Sequence, residues 1–290
     1  MTLQVRFWGT RGSIPSPGPD TVRYGGNTPC VEVRAASGAI AILDAGTGLR
    51  GLGQRLLDEA AGAPLRADIY LTHAHWDHIQ GLPFFAPLFR AGHRFRIWAA
   101  PALRARIERA VRAQMAPEVF PIPFEEVRAS IEFRAIGEAG AAEEFAVVAH
   151  PVRHPGGALG YRVAACNGGT PALVYIPDNE LDPDAAYDAP ADWRERLVDF
   201  IRGAQLLVHD AMYTADEATA FRGWGHSSAE AAVELALDAA VPRLALFHHR
   251  PERSDAGVDA LLERCRARVA ARGGSLDGVA AAEGASFTIR

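Results

Sequence analysis

Directly after the apolar stretch 67–71 the chain reads Thr72-His73-Ala74-His75-Trp76-Asp77-His78, which sets four potential metal ligands within six positions. An apolar run of that length reads as a buried strand, so the four side chains leave a sheet edge together. His73 and His75 can then converge on one ion. Asp77 and His78 turn round the loop toward a second ion about 4 Å away, the spacing of two-metal sites. The rival reading is a solvated surface loop, but imidazole is the commonest metal ligand and its density here favours a site.

Comparable runs rich in β-branched and apolar residues lie at 3–8, 30–34, 39–43, 95–99, 131–135 and 145–149, and again at 159–164, 172–176, 205–208, 243–247 and 286–289. Apolar residues at three- and four-residue spacing predict helices over 103–114, 192–202, 227–239 and 258–272. Ser227, Ser228 and Glu230 supply cap chemistry at the start of the third. Stretches in this order predict an α/β chain with two mixed β-sheets sandwiched between helical layers, rather than one alternating βαβ sheet. No repeat or low-complexity linker divides the 290 residues, so one domain spanning 1–290 is expected. The most loop-like segments are 15–20 and the acidic, proline-containing 181–191, where specificity would reside.

Charge and composition remove several functions. The 30 basic residues, all of them Arg, stand against 35 acidic ones for a net charge of −5, so no global positive field recruits a long nucleic acid. A chain without Lys has no Lys nucleophile and no Schiff-base chemistry. Cys30, Cys166 and Cys265 are odd in number, widely spaced and outside any CxxC pair, which fits reduced thiols. No window approaches the roughly 18 consecutive apolar residues of a membrane span, and no charged-then-apolar leader precedes the first strand. The expectation is a soluble, cytoplasmic protein with no membrane partner.

The run from His73 to His78 fits the HxHxDH signature of the metallo-β-lactamase superfamily, and the resemblance extends over nearly the whole chain. It implies a four-layer αββα sandwich, the metallo-β-lactamase fold, with two divalent metal ions at one edge. The signature also implies three ligands downstream, and candidates stand in order. His154, in His154-Pro155-Gly156-Gly157, would complete the set begun by His73 and His75. Asp178, just past the apolar run 172–176, would bridge both ions, and His248, closing 243–247, would join Asp77 and His78. His150 and His249 compete for two of these places. The glycines after His154 suit close backbone approach, and alternation lets only one of His248 and His249 face the site, the former abutting the strand. Five His and two Asp suit zinc, with manganese or iron also acceptable to such ligands.

Residues 7–13 (FWGTRGS), 25–28 (GGNT), 43–48 (LDAGTG), 154–162 (HPGGALGYR) and 225–228 (GHSS) resemble one branch of that superfamily. It comprises the tRNA 3′-processing endonucleases and their cyclic-phosphodiesterase relatives. There the His of the GHSS element sits by the scissile phosphate and not on a metal, so the resemblance makes His226 a proton donor to the leaving oxygen. The plainer role is a His held near a helix N-terminus by capping geometry. Asp210, after His209, would orient His226, and Asp44 would orient a ligand His through its free ring nitrogen. Catalysis is thereby assigned to Asp77, His226 and Asp210.

The endonucleases carry a long insertion after the HPGG segment that clamps tRNA, whereas here 161–176 runs almost directly from one strand to the next. The resemblance therefore implies a small phosphodiester substrate, a cyclic nucleotide or sugar cyclic phosphate, attacked in line by a hydroxide held between the ions. Members of the branch are often homodimers. The rivals are acyl hydrolysis of β-lactams, lactones or thioesters, tRNA 3′ processing, a di-iron redox centre, and a metal-holding fold without catalysis. Trp76, Phe84, Phe85, Tyr213 and Trp224 adjoin these motifs and could stack a base or wall an apolar leaving group, with core packing as the alternative.

Overall fold

Strands covered on both faces need apolar residues at every position, and the central strands of this chain are built that way. The computed structural model describes residues 2–138, 144–166 and 172–290. Its strands are β1 (Leu3–Gly9), β2 (Cys30–Ala35), β3 (Ile40–Leu43), β4 (Arg66–Tyr70), β5 (Arg94–Ala99), β6 (Ser130–Ala135) and β7 (Phe145–Val152). They continue with β8 (Ala158–Ala165), β9 (Ala172–Ile176), β10 (Leu206–Asp210), β11 (Arg243–Phe247), β12 (Asp277–Ala280) and β13 (Ser286–Ile289). The helices are α1 (Gly48–Ala60), α2 (Pro101–Ala113), α3 (Trp193–Ile201), α4 (Ala215–Ala220), α5 (Ala229–Asp238) and α6 (Asp255–Ala271).

Among the described residues, seven strands form one sheet in the order β13-β1-β2-β3-β4-β5-β6, and six form the other in the order β12-β11-β10-β9-β8-β7. Both are mixed. β3 through β6 and β9 through β12 run parallel, and the remaining neighbours pair antiparallel. Alternation then divides each strand between two cores. Phe7, Leu43, Tyr70 and Trp98 of the first sheet meet Tyr161, Leu173, Tyr175 and Phe247 of the second between the layers. On the outer faces, Ile42, Ile69 and Ile97 pack against α1 and α2, while Val174, Leu207 and Leu246 pack against α3, α5 and α6. Each such side chain contributes about 1.5 to 3 kcal/mol of transfer free energy. The result is the expected αββα sandwich.

Three elements depart from the sequence reading. α1 is masked by glycines, yet Leu49, Leu52 and Leu56 supply its buried stripe. Two of those glycines are required by close packing. A Cβ on Gly48 would stand 2.4 Å from the Trp8 carbonyl oxygen, and one on Gly53 would stand 2.6 Å from the Phe85 ring. α4 buries no residue, so it leaves no apolar period; it rests on a capping box between Thr214 and Glu217. β12 is a four-residue edge strand, too short to announce itself. β7 also runs on to Val152, which places His150 within the strand. The link from β8 to β9 includes 167–171, which lie outside the described residues. No helix among the described residues is long and apolar enough to cross a membrane.

Candidate active site

Where parallel strands end, the chain turns out of the sheet, and ligand groups collect at those carboxyl ends. Asp44 follows β3, Thr72 to His78 follow β4, Asp178 follows β9, Asp210 ends β10 and His248 follows β11. His154 arrives from the turn between antiparallel β7 and β8. Ligand atoms gather in two main clusters among the described residues, and Asp178, His226 and His248 also lie close enough to share an ion. In the first, His154 Nε2 lies 3.0 Å from His75 Nδ1, and Asp178 Oδ2 lies 3.7 Å from His73 Nε2 and 3.6 Å from His154 Nε2. In the second, Asp178 Oδ1 lies 3.1 Å from His78 Nε2 and 3.3 Å from His248 Nε2. Asp77 Oδ2 lies 3.3 Å and 3.1 Å from the same two nitrogens. A tetrahedral ion with bonds of about 2.0 to 2.1 Å spaces its ligand atoms about 3.3 to 3.4 Å apart. Both clusters are close to that spacing, and Asp178 offers one oxygen to each.

The chemistry of these atoms also fits cations. His73 Nε2, His78 Nε2 and Asp178 Oδ1 are buried without a hydrogen-bond partner, a cost of about 1 to 3 kcal/mol each that a bound cation would remove. His154 donates its Nδ1–H to the Gly225 carbonyl at 2.9 Å, so the Nε2 facing His75 carries a lone pair. Burial, reinforced by the charge of His78, holds His73 well below the usual imidazole range; burial also lowers His75 and brings His154 down to about 4. Burial alone would raise the Asp178 and Asp77 carboxyls. His248 and His78 nevertheless hold Asp178, and His78 and His248 hold Asp77, well below the usual carboxylate range. Neutral imidazole and ionised carboxylate are the ligating forms; His78 is the exception, for burial would lower it but Asp178, Asp77 and Asp44 raise it well above the usual imidazole range, so an ion there would displace its Nε2 proton.

Asp44 aims two of the histidines. It is fully buried and accepts from the Thr72 N–H at 2.8 Å, the Thr72 hydroxyl at 3.0 Å, His78 Nδ1 at 2.8 Å and the Tyr175 hydroxyl at 3.0 Å. With its proton on Nδ1, His78 presents Nε2 to the site. Thr72 Oγ1, donating to Asp44, accepts from His73 Nδ1 at 3.0 Å and turns that ring the same way. Asp44 and His248 adopt φ of 58° and 59°, left-handed conformations that cost a non-glycine residue of order 1 to 3 kcal/mol and mark the strand ends as over-determined. Asp44→Asn keeps the shape and removes the charge that fixes both rings. Metal affinity, read by chelator competition, is expected to fall about 10- to 100-fold; unchanged affinity would reduce Asp44 to a packing residue.

The FWGTRGS segment closes the other side. The Ser13 N–H donates to Asp77 Oδ2 at 2.8 Å, and a Cβ on Gly12 would stand 2.4 Å from His248 Nδ1. Arg11 is fully buried, and its guanidinium donates to the carbonyls of Gly25, Arg250 and Arg253, pinning this loop in place.

His226 stands beside the clusters. Its Nδ1 is 2.7 Å from Asp210 Oδ2, and its ring stacks on His248 with centroids 4.9 Å apart. Burial would lower its pKa, but Asp210 raises it to about 9. Asp210 is held in turn by the N–H groups of Asn179 at 3.2 Å and Met212 at 3.0 Å. The neighbouring serines are structural: Ser227 donates to the Asn179 carbonyl at 2.5 Å, and Ser228 caps α5 by accepting from the Ala231 N–H at 3.1 Å. Glu180 escaped the sequence reading. It accepts from the N–H groups of Gly223 and Gly225 and from the Tyr187 hydroxyl, each at 2.8 Å. It thereby fixes the turn whose Gly225 carbonyl holds His154 and whose next residue is His226. The signal it left was an acidic residue two places beyond Asp178.

The competing histidines fall outside. His150 stacks on Phe200 at 4.9 Å, and His249 bonds the Ala281 carbonyl at 2.8 Å. Phe85 lies in the core beneath α1 and Tyr213 is buried against His226, so neither is a free wall; Trp76, Phe84 and Trp224 are exposed.

Two mixed sheets between helices, with a His and Asp cluster where the parallel strands end, are the marks of a class of metal-dependent hydrolases. A family model described as a beta-lactamase superfamily domain matches residues 41–249, and the chain belongs to that superfamily, in its ribonuclease Z-like branch. Over 91% of its length it is 25% identical to ribonuclease Z of Acaryochloris marina, of which 92% is covered. The metallo-β-lactamase fold protein YhfI of Bacillus subtilis superposes with a TM-score of 0.68 at 18% identity, covering 99% of this chain and 100% of that one. A diphosphatase of the PhnP family superposes with a TM-score of 0.63 at 19% identity, covering 98% of this chain and 97% of that one.

Proposed function

We propose that this hydrolase cleaves small phosphodiesters, such as a cyclic nucleotide or a sugar cyclic phosphate, at a site for two divalent ions, zinc before manganese or iron. His73, His75, His154 and Asp178 would hold one ion; Asp178, Asp77, His78 and His248 would hold the other. Ions bound there supply Lewis-acid polarisation of phosphoryl oxygens and a water acidic enough to attack at neutral pH. The observation that carries the reading is the His226–Asp210 pair, joined at 2.7 Å beside the seven residues assigned to the two ions. A diester expels an alkoxide that needs a proton. Asp210 raises His226 to about 9, against the downward pull that bound ions would exert, and with Nδ1 committed to Asp210 the ring offers Nε2–H.

The relative named ribonuclease Z and the neighbour described as a diphosphatase support phosphoryl over acyl chemistry. The short link between Ala165 and Ala172 and the net charge of −5 favour a small diester over tRNA. Free cysteines, with Cys30 and Cys265 buried, suit a cytoplasmic setting. The test is steady-state hydrolysis of bis(p-nitrophenyl) phosphate by metal-reconstituted protein, beside a lactone, a β-lactam and a glutathione thioester. Diester cleavage that chelator removes is the expected result, and cyclic nucleotides follow. Acyl cleavage without diester cleavage would overturn the reading, and cleavage of precursor tRNA without turnover of cyclic phosphates would move the substrate to RNA.

A further inference from the structure

A histidine that ligates a metal through one ring nitrogen normally gives the N–H of the other to an acceptor. His73 is aimed in this way through Thr72, His78 by Asp44 and His154 by the Gly225 carbonyl. His75 turns Nδ1 toward His154 Nε2 at 3.0 Å, so with Nδ1 given to an ion its proton sits on Nε2. Among the described residues that nitrogen has no hydrogen-bond partner. The outer Nδ1 of His248 is unpartnered too, but it is buried against Gly12 and out of a ligand's reach. His75 is partly exposed.

The recess beside it is lined by His73, His75, Pro155 and Gly157 and, from α2, by Leu103 and Arg106. Its space of about 10 Å³ is close to that of one water molecule, room for a single oxygen. Arg106 is exposed, and its Nη1 donates to the Gly156 carbonyl at 3.1 Å. A Cβ on Gly156 would stand 3.1 Å from Nη1 and 3.3 Å from Nη2, so the guanidinium closes on the turn that carries His154. Arg104 and Arg112 of the same helix share Glu108, at 3.7 Å and 3.0 Å. Arg106 has no carboxylate partner among the described residues, and apart from the bond to Gly156 its N–H groups are uncommitted. Two unanswered donors, one of them charged, thus border one recess at the rim of the first ion's cluster. A guanidinium and a neighbouring N–H match a carboxylate, which brings one oxygen for each.

We propose that Arg106 and the Nε2–H of His75 bind a carboxylate pendant to the phosphoryl group held at the ions, one carboxylate oxygen entering the recess. The inference rests on the reading of the seven ligand residues as a two-ion centre, and it narrows the substrate to a diester that carries a second anionic group. Arg106 is then a residue that selects substrate and takes no part in proton transfer.

Binding is read calorimetrically on metal-loaded protein, without turnover. The probes are 3-phosphonopropionate and 5-phosphonopentanoate, each beside its uncharged carboxamide; the phosphonate seats on the ions and the two chain lengths vary the reach. At least one acid is expected to bind about tenfold or more tightly than its amide, the gain expected for a charge-assisted hydrogen bond. Arg106→Gln, at an exposed position, should bring that ratio to one, and Arg106→Lys should keep part of it. Arg109→Gln withdraws the same charge from an exposed position three residues along α2 and outside the recess, and should leave the ratio unchanged. Failure of acids and amides alike to bind would remove the metal centre and this inference with it. Binding of both with equal affinity would leave the centre standing and overturn the role of Arg106 alone, as would a ratio lost equally in Arg109→Gln.

Discussion

Asp178→Ala is expected to release at least one equivalent of metal and to abolish measurable phosphodiester turnover. Among the described residues no other serves both clusters, for Oδ2 faces His73 and His154 while Oδ1 faces His78 and His248. Its removal leaves His73, His75 and His154 on one side and Asp77, His78 and His248 on the other, with no anion between them. Two dications held by these groups would then repel each other with no carboxylate between them. The loss should exceed the roughly 10- to 100-fold that follows from losing an orienting partner such as Asp44. Because Asp178 is fully buried, alanine also opens a void, so Asp178→Asn is the companion variant. It keeps the volume and one carbonyl oxygen while removing the negative charge. Metal per chain, measured by elemental analysis beside kcat, decides the matter. Retention of both ions with normal turnover in either variant would show that the bridging carboxylate lies elsewhere.

Much of the fold was legible because burial on two faces leaves its mark in local sequence. The runs 172–176 and 243–247 coincide with β9 and β11, and the residues just past them are the ones that the structure gathers around Asp178 and His248. α1 was hidden because Gly48 and Gly53 answer to Trp8 and Phe85, partners far off in sequence, and not to helix propensity. The site divides the same way. Residues 73–78 declare themselves through spacing, while the choice of His154 over His150 rests on the glycines that follow His154, since periodicity locates the end of β7 only within a few residues. Glu180 and Arg106 carry no pattern of their own. Glu180 matters through backbone N–H groups 43 and 45 positions away, and Arg106 through the Gly156 carbonyl, 50 positions away. Contacts of that range are fixed by topology, so a single sequence does not reveal them.

His226→Ala should leave both ions in place and lower kcat by about 10² to 10⁴-fold, the range for losing a positioned proton donor. The size of the loss depends on the leaving group. p-Nitrophenolate departs without a proton, so an activated diester should lose little; a cyclic nucleotide or alkyl ester expels a basic alkoxide and should lose most. A His retained for helix capping would not discriminate, since a disturbed α5 terminus slows both substrates alike. Ser228 already supplies that cap, which leaves the imidazole free for another task. Asp210→Asn tests the second member of the pair. It keeps a hydrogen-bond acceptor for Nδ1 but withdraws the charge that holds His226 up at about 9, so the proton donor should fail at a lower pH than in the parent enzyme. The ions themselves also pull His226 down, in parent and variant equally, so the shift between the two profiles is the quantity to read. Loss of metal from His226→Ala would carry a different meaning. Asp178, His226 and His248 lie close enough to share an ion, and such a loss would make His226 a ligand in place of His248.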